Sequence, residues 1–267
     1  TEAIGPAKTT KRTTTVRWGM ANDPQSQPEF SITHDRSPSE TLLAGFSSFG
    51  LAGLTAVDYL VDQLELTEIG HVSVDTLPSI TPFENGTPRH HSRLFSRPDL
   101  DVTVLVNELF VPVWAAESYA DAVLDWSKET AVDEIAVVSG IPIAHGPEDH
   151  RTFYVATEDY RERRLESSEL PPMGTGFLDG VNASLMARGM DSPLRVGVFI
   201  TPVHAQIPDV EAAIRLVDSI VTVYDIDIDT TDLKGFAADI EKYYGELAER
   251  LQEDQRERQQ PEERMYM

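Results

Sequence analysis

The sequence predicts an α/β protein in which a mixed, mainly parallel β-sheet is flanked by helices on both faces. Two observations lead to this prediction. Short apolar runs bounded by Gly or Pro alternate along most of the chain with segments whose apolar residues recur every three or four positions. Several of the runs are apolar throughout, as expected for strands that are covered on both faces. In such folds, functional sites gather where the parallel strands end.

The first half of the chain opens with a strand, a glycine-rich turn and a helix. Residues 40–45 form a short apolar run that ends in Gly45, and the apolar residues of 51–66 recur at helical spacing after Gly50. Runs separated by Pro and Gly turns predict further strands at 72–74, 91–95 and 102–106.

The second half continues the alternation. After a predicted helix at 114–130, the β-branched run 134–139 predicts a central strand that stops at Gly140-Ile141-Pro142. The same patterns predict strands at 152–156 and 194–200, and helices at 177–188, 209–223 and 232–255. The last helix carries an apolar stripe that can pack on the domain or on a partner subunit.

The chain divides into four parts. Residues 1–39 are rich in Thr, Pro, Ser and Gln, which predicts a flexible leader. Residues 40–230 carry the α/β domain, and residues 231–255 the C-terminal helix. Residues 256–267 are predicted to be a flexible tail, because they are mostly polar and contain Pro261.

The composition excludes several classes of function. The 267 residues include 45 acidic and 22 basic ones, and the formal net charge of -23 would repel nucleic-acid phosphates and anionic lipids alike. We therefore expect neither nucleic acid nor membrane as a partner. The acidic residues scatter over the whole length and Lys is scarce, which is typical of halophilic proteins. In molar salt this charge is screened and mainly keeps the surface hydrated.

The chain contains no Cys, so disulfides, thiolate nucleophiles and zinc-thiolate sites are excluded. It contains neither an apolar stretch long enough for a membrane span nor the apolar region of a signal peptide. We therefore expect a cytoplasmic protein.

Two glycine-rich segments could carry chemistry. Ser47 lies where a hydrolase nucleophile would lie after Gly45, but the second glycine of that motif is displaced to Gly50, which favours a plain strand-to-helix turn. The segment from Gly174 to Gly180 is similar to a dinucleotide-binding motif, but its glycine spacing is one residue too long and no strand precedes it. A helix N-terminus with small residues accounts for it.

Glu108 and a pair of histidines are the remaining candidates. Glu108 follows the strand 102–106, where a carboxylate could act as a general acid or base. His145 and His150 are the one concentration of possible metal ligands, but Gly146 and Pro147 prevent the helical spacing of zinc motifs. We therefore expect a solvated loop there and no metal site. No motif requires a cofactor.

The chain ends in Met265-Tyr266-Met267, that is, an apolar residue, a tyrosine, and a residue that bears the terminal carboxylate. A pocket with a lysine and backbone donors can bind the phenol and the carboxylate together, while the apolar side chain adds buried area. The polar residues 253–264 would hold these three residues away from the folded body.

Several motifs occur in an order that is typical of one family. Gly45, Phe46, Gly50 and Gly53 match its G-F-x-x-x-G-x-x-G turn. The later matches are Asn107-Glu108, Trp126, the strand exit Ser139-Gly140-Ile141-Pro142, and the helix starts Gly176 to Gly180 and Asp209 to Ala213. From about Glu40 to Gln252 the chain therefore resembles the proteasome assembly chaperone 2 family, and in particular its archaeal, haloarchaeal-like members.

The resemblance implies a phosphorylase/hydrolase-like fold and a role in binding, with no catalytic residue and no cofactor. Archaeal members are similar to homo-oligomeric chaperones whose C-terminal HbYX tails engage the α-subunits of the 20S proteasome core. Met265, Tyr266 and Met267 match such a tail, so the resemblance implies 20S α-subunits as partners. It leaves open whether a second related chaperone takes part, and whether the protein assists assembly or caps the core.

An enzyme of the same fold, acting on a small molecule, is the alternative. Its site would use Glu108 or the glycine-lined turns at 45–53 and 174–180.

Overall fold

The computed structural model describes most of the chain, namely residues 27–77, 80–204 and 209–228, together with Gly235, Tyr244, Gly245 and Leu247. These residues form an eight-stranded sheet with helices on both faces. The predicted α/β architecture with a mixed, mainly parallel sheet is confirmed. Among the described helices, none is both long enough and apolar enough to cross a lipid bilayer.

The eight strands follow one another across the sheet in the order β1-β3-β6-β7-β2-β8-β10-β9. Their bounds are β1 Phe30–His34, β2 Thr41–Phe46, β3 Thr67–Val74, β6 Ser92–Ser96, β7 Val102–Asn107, β8 Glu134–Ile141, β9 Phe153–Ala156 and β10 Arg195–Pro202. A separate two-stranded hairpin consists of β4 (Phe83–Glu84) and β5 (Thr87–Pro88).

The central strands β7, β2, β8 and β10 are parallel to one another. The outer strands β6, β3, β1 and β9 each run antiparallel to the neighbour nearer the centre. As a result β3 points the same way as the central four. The carboxyl ends of these five strands meet at one edge of the sheet, at Val74, Asn107, Phe46, Ile141 and Pro202. We call it the carboxyl edge and the opposite one the amino edge.

Two pairs of helices cover the sheet. α1 (Ala52–Gln63) and α5 (Val210–Tyr224) pack together on one face, and α2 (Ala116–Glu129) and α4 (Gly180–Met190) on the other. A short helix α3 (Glu158–Tyr160) continues into a π-helical turn at Arg161–Leu165. Successive strand residues serve the two faces in turn, so that Leu43 packs beneath α1 and Leu42 beneath α2.

The sequence-based prediction was wrong at the start of the domain. Phe30–His34 forms β1, although these residues lie inside the predicted leader 1–39. Residues 1–26 lie outside the described part of the chain. β1 pairs with β3, and Phe30 is buried with its ring 5.0 Å from that of Tyr119. Such a short edge strand depends on its neighbour and on α2 for stability, and neither is evident from its own sequence.

The other predicted strands and helices of the domain are present with shifted ends. The largest extension is in β3, which begins at Thr67 instead of residue 72. The hairpin β4–β5 and the helix α3 were not predicted. Of the predicted C-terminal helix 232–255, only four residues are described, and all four are helical. The rest of this helix and the predicted tail 256–267 lie outside the described residues.

Two glycines allow α1 to lie directly on the sheet. A Cβ atom on Gly53 would collide with the carbonyl oxygen of Val138 in β8, and one on Gly45 would collide with the carbonyl oxygen of Gly53. Gly50 has a φ of 66°, a left-handed conformation that favours glycine. The glycines of the turn are therefore needed for close packing of the helix and for the direction of the chain.

We predict that Gly53→Ala destabilises the domain by about 1–3 kcal/mol, because the added methyl group must push α1 away from β8. The midpoint of denaturant unfolding measures the loss. Gly176→Ala is the matched control, since a Cβ at Gly176 would meet nothing within 4 Å. Equal midpoints for the two variants would contradict the role assigned to Gly53.

Candidate functional site

The carboxyl edge brings together most of the residues that the sequence singled out. The turn from Gly45 to Gly53 follows β2, Glu108 follows β7, and Pro142 follows β8. The segment from Gly174 to Gly180 leads into α4, whose first turn is held at this edge by a hydrogen bond from Asn182 Nδ2 to Ser139 Oγ of 3.1 Å. The fold thus places these distant segments on one surface.

The turn after β2 is held by hydrogen bonds to backbone carbonyl oxygens. The hydroxyl of Ser47 donates to the carbonyl oxygen of Glu108 at 2.8 Å, and its backbone N–H donates to that of Asn107 at 3.0 Å. The carbonyl oxygen of Gly50 accepts from the backbone N–H of Asp209 at 2.8 Å. Ser47 is therefore engaged in joining two strand ends, as expected for a plain strand-to-helix turn.

The glycines at the end of β8 and at the start of α4 differ in their surroundings. A Cβ on Gly140 would lie 2.7 Å from the carbonyl oxygen of Phe49 and 2.5 Å from Val203 Cγ1, so the absence of a side chain lets three connections pack together. A Cβ on Gly176 or Gly180 would meet nothing within 4 Å, and Gly180 has a φ of 54°. Packing thus requires Gly140, whereas Gly180 serves the backbone conformation at the start of α4.

Glu108 forms a buried ion pair. Arg89, which follows the β4–β5 hairpin, donates to both carboxylate oxygens of Glu108 at 2.7 and 3.0 Å. The side chain of Glu108 is 2% exposed. A bidentate pair of this kind fixes the direction of the carboxylate. The arrangement ties the hairpin to the end of β7, and it engages the oxygens that a general base would need.

A second carboxylate lies on α1 near this pair. Asp58 is partly buried, and its Oδ2 accepts a hydrogen bond of 3.2 Å from the hydroxyl of Tyr244, which is itself fully buried. Burial raises the pKa of Asp58 to about 6, against the opposing effect of Arg93 and with a further increase from Glu108. The contact fixes part of the C-terminal segment against α1.

Exposed apolar side chains concentrate at the carboxyl edge. Among the described residues, the large exposed hydrophobic side chains are Phe49, Phe83, Val113, Trp114, Ile143, Phe177 and Met190. All except Met190 lie in connections at the carboxyl edge, whereas Met190 ends α4 at the amino edge. Phe177 is 100% exposed and Trp114 59%. Apolar side chains grouped on one surface of an acidic protein are typical of a site of protein interaction.

A charged network that sequence reasoning missed lies at the amino edge. Glu134 is fully buried at the start of β8, and its Oε1 accepts from Arg164 Nε at 2.8 Å and from the hydroxyl of Tyr224 at 3.1 Å. Its Oε2 lies 3.4 Å from Arg163 Nε and 3.5 Å from Arg195 Nε. Two features of the sequence indicate this network. Glu134 opens an apolar strand, and residues 161–164 are rich in arginine although the chain as a whole is acidic.

A depression of about 450 Å³ lies beside this network. Its charged lining residues are Arg97, Asp99, Asp101, Arg164, Asp225 and Asp227. Glu108 lies at the opposite edge and does not line it. The enzymatic alternative requires Glu108 to meet a second titratable group in a deep pocket. In this structure both carboxylate oxygens of Glu108 accept hydrogen bonds from Arg89.

The histidines at the carboxyl edge are closer together than the sequence suggested. His145 and His150 lie in the connection after β8, and His204 follows β10. One ring nitrogen of each lies within 4.8 Å of the others. The tail residues Met265, Tyr266 and Met267 lie outside the described residues, so their role stays a prediction.

The raised pKa of Asp58 predicts a stability change with pH. Because the folded state favours the protonated carboxyl, its contribution to stability is full below the ordinary pKa of 3.8 and declines as the pH rises to about 6. We predict that Asp58→Asn removes this decline and is more stable than the native chain above pH 6, by at most about 3 kcal/mol. Denaturant unfolding of both chains between pH 4 and pH 8 measures the difference, and parallel pH profiles would contradict it.

Comparison with solved structures places this fold among known ones. PbaA from Pyrococcus furiosus, described as an archaeal homolog of proteasome-assembly chaperone, has 18% sequence identity and a TM-score of 0.75, with 85% of this chain and 99% of that chain covered. A Thermoplasma acidophilum protein of unknown function has 21% identity and a TM-score of 0.74, with coverages of 85% and 93%. PbaB from Pyrococcus furiosus, described as an archaeal proteasome activator, has 17% identity and a TM-score of 0.65, with coverages of 82% and 98%.

At these identities the likeness to solved structures establishes the fold alone. A search of curated proteins found no match. The model of the PAC2 family, in contrast, matches residues 42–248 of the sequence. This match covers the sheet from β2 onward, the helices α1 to α5 and the described C-terminal residues. The chain therefore belongs to the PAC2 family.

Proposed function

We propose that this protein is a proteasome assembly chaperone that binds α-subunits of the 20S core. The proposal assigns it two contacts, the carboxyl edge and the C-terminal residues Met265, Tyr266 and Met267. The single observation that carries it is the gathering of exposed apolar side chains at the carboxyl edge. Membership of the PAC2 family supports a proteasome subunit as the partner of this surface. PbaA and PbaB, which share the fold, are described as a homolog of proteasome-assembly chaperone and a proteasome activator.

The carboxyl edge has the physical character of a protein-binding surface. Trp114 and Phe177 present large apolar areas to solvent, and burying such area against a partner is the main favourable term in association. Tryptophan is also enriched among the residues that contribute most to binding energy. Trp114 lies in a helical turn, Val113–Ala115, that leads directly into α2, so little backbone entropy is lost there when the side chain is covered.

The C-terminal tail supplies the second contact. Tyr244 is held on α1 by Asp58, and Leu247 packs against the same core, so the described chain is anchored up to three residues beyond Tyr244. Residues 248–267 follow in the sequence. In the proposed complex, the phenol of Tyr266 and the carboxylate of Met267 enter a pocket between neighbouring α-subunits. There a lysine and backbone N–H groups bind them.

We propose that the protein acts as a homo-oligomer in the cytoplasm, where several tails bind one α-subunit ring. Joining weak contacts raises their effective concentration, and avidity then increases by about 10²-fold or more when the geometry fits. No catalytic step is assigned. The bound ring is either an assembly intermediate or a mature core that is being capped. The two cases differ in whether α-subunits co-purify alone or as part of the complete core.

We predict that deletion of Met265 to Met267 abolishes co-purification with 20S α-subunits and leaves thermal unfolding unchanged. Adding one glycine after Met267 should have the same effect, because it moves the carboxylate away from Tyr266. Met267→Ala is the matched control, since it keeps both groups and should bind as the native chain does. Pull-downs are done in molar salt, in which the negative surface charge is screened.

These three variants separate the possible outcomes. Retained binding in the deletion variant would overturn the tail contact. Loss of binding in Met267→Ala would show that the methionine side chain, and not the carboxylate with its tyrosine, makes the contact.

We predict that Trp114→Ser and Phe177→Ser each weaken α-subunit binding by about tenfold, since each removes a large apolar contact. Met190→Ser is the matched control, because Met190 is 69% exposed but lies at the amino edge. Titration of α-subunits with labelled chaperone measures the affinities. If Met190→Ser weakens binding as much as the other two, the carboxyl edge is not the contact.

A further inference from the structure

Three histidines converge at the carboxyl edge from two separate connections. The ring centroid of His145 lies 4.9 Å from that of His150 and 5.2 Å from that of His204, and the remaining distance is 6.0 Å. One ring nitrogen of each residue lies within 4.8 Å of the other two. In the described part of the chain this is the one group of three His, Asp or Glu side chains with such spacing.

Two of the rings already have the hydrogen bonds that orient metal ligands. The Nδ1–H of His145 donates to the carbonyl oxygen of Ile143 at 2.7 Å, and the Nδ1–H of His204 donates to Asp209 Oδ2 at 2.9 Å. In both rings Nε2 is the nitrogen left for an ion. Metal-binding histidines almost always donate their second ring N–H to a carboxylate or a backbone carbonyl in this way.

Asp209 accepts two hydrogen bonds from His204. Its Oδ1 accepts from the backbone N–H of Ala212 at 3.0 Å as the N-cap of α5, and its Oδ2 also accepts from the backbone N–H of His204 at 2.9 Å. The hydrogen bonds from His204 and Ala212 fix the carboxylate of Asp209 in position.

The distances fit a small rearrangement on binding. Zinc binds imidazole nitrogen at about 2.0–2.1 Å in tetrahedral geometry, which places two such nitrogens roughly 3.3 Å apart. In this structure one ring nitrogen of each histidine, Nδ1 or Nε2, lies within 4.8 Å of the other two. His150 and His204 are exposed, so rotations about their side-chain bonds can close the remaining gap.

We propose that His145, His150 and His204 bind one divalent transition-metal ion of the zinc class. Asp209 and the carbonyl of Ile143 are positioning groups that orient two of the three rings. A three-imidazole set suits zinc, nickel, copper or cobalt, whereas magnesium and calcium prefer oxygen. Three protein ligands leave a fourth tetrahedral position open to water or to a side chain of a partner.

This site departs from the expectation of a solvated loop without metal. The sequence shows only His145 and His150 close together, and Gly146 and Pro147 argue against a helical zinc motif. The third ligand comes from the connection after β10, the neighbour of β8 in the sheet. A bound ion would join the two connections next to the exposed Ile143, so it would order part of the carboxyl edge.

Cobalt binding tests the site on the untagged full-length chain after removal of metals. Titration with Co²⁺ is followed by its visible absorption, which reports nitrogen ligands and low coordination number, and Zn²⁺ is then added as competitor. We expect one ion per chain with a dissociation constant in the micromolar range or tighter. His150→Ala should weaken binding by 100-fold or more, and Asp209→Asn by about 10–100-fold.

His34→Ala is the matched control, because His34 is exposed and its Nδ1 also bonds a backbone carbonyl, that of Arg36. It should bind Co²⁺ like the native chain. A native-like melting temperature of each metal-free variant excludes a folding defect, since asparagine at 209 remains a good N-cap. Unchanged affinity in His150→Ala and Asp209→Asn, or the lack of saturable binding below millimolar Co²⁺, would overturn the proposal.

Discussion

The close contact between α1 and the sheet is the constraint on which the rest of the structure depends. Gly53 lies against the backbone of β8 and Gly45 lies against Gly53, so the helix axis approaches the sheet more closely than side chains would allow. Because α1 is held against the sheet, the glycine turn that leads into it is also fixed. In this turn the carbonyl oxygen of Gly50 accepts a hydrogen bond from the backbone N–H of Asp209. The position of α1 also determines where Asp58 contacts Tyr244.

The two edges of the sheet have different chemistry. At the amino edge, the buried carboxylate of Glu134 forms ion pairs with Arg163, Arg164 and Arg195. At the carboxyl edge, one ion pair between Arg89 and Glu108 ties the connections together, and apolar side chains remain in solvent. Ion pairs that involve a buried carboxylate are screened less by salt than pairs between surface charges. Paired charges thus dominate the amino edge, and exposed apolar side chains gather at the carboxyl edge.

Most of the regular elements were predictable because their signals are local. The apolar runs of β2, β7, β8 and β10 and the helical periodicity of α1, α2 and α5 depend only on neighbouring residues. β1 was missed because an edge strand of five residues is stabilised by β3 and by the packing of Phe30 on Tyr119. The pairing of Glu108 with Arg89 was missed for a related reason, since the two residues belong to different connections and only the strand order brings them together.

The sequence by itself determined the class of fold, the glycine turn around Gly50, the acidic surface and the motifs of the family. Each of these depends only on the amino-acid composition or on residues that are close together in the sequence. Only the tertiary structure decided that Glu108 is paired, that Glu134 holds three arginines, and that His204 joins His145 and His150. The physical reason is that a parallel sheet places the ends of distant segments side by side. Contacts between those ends depend on strand order and register, which no local pattern contains.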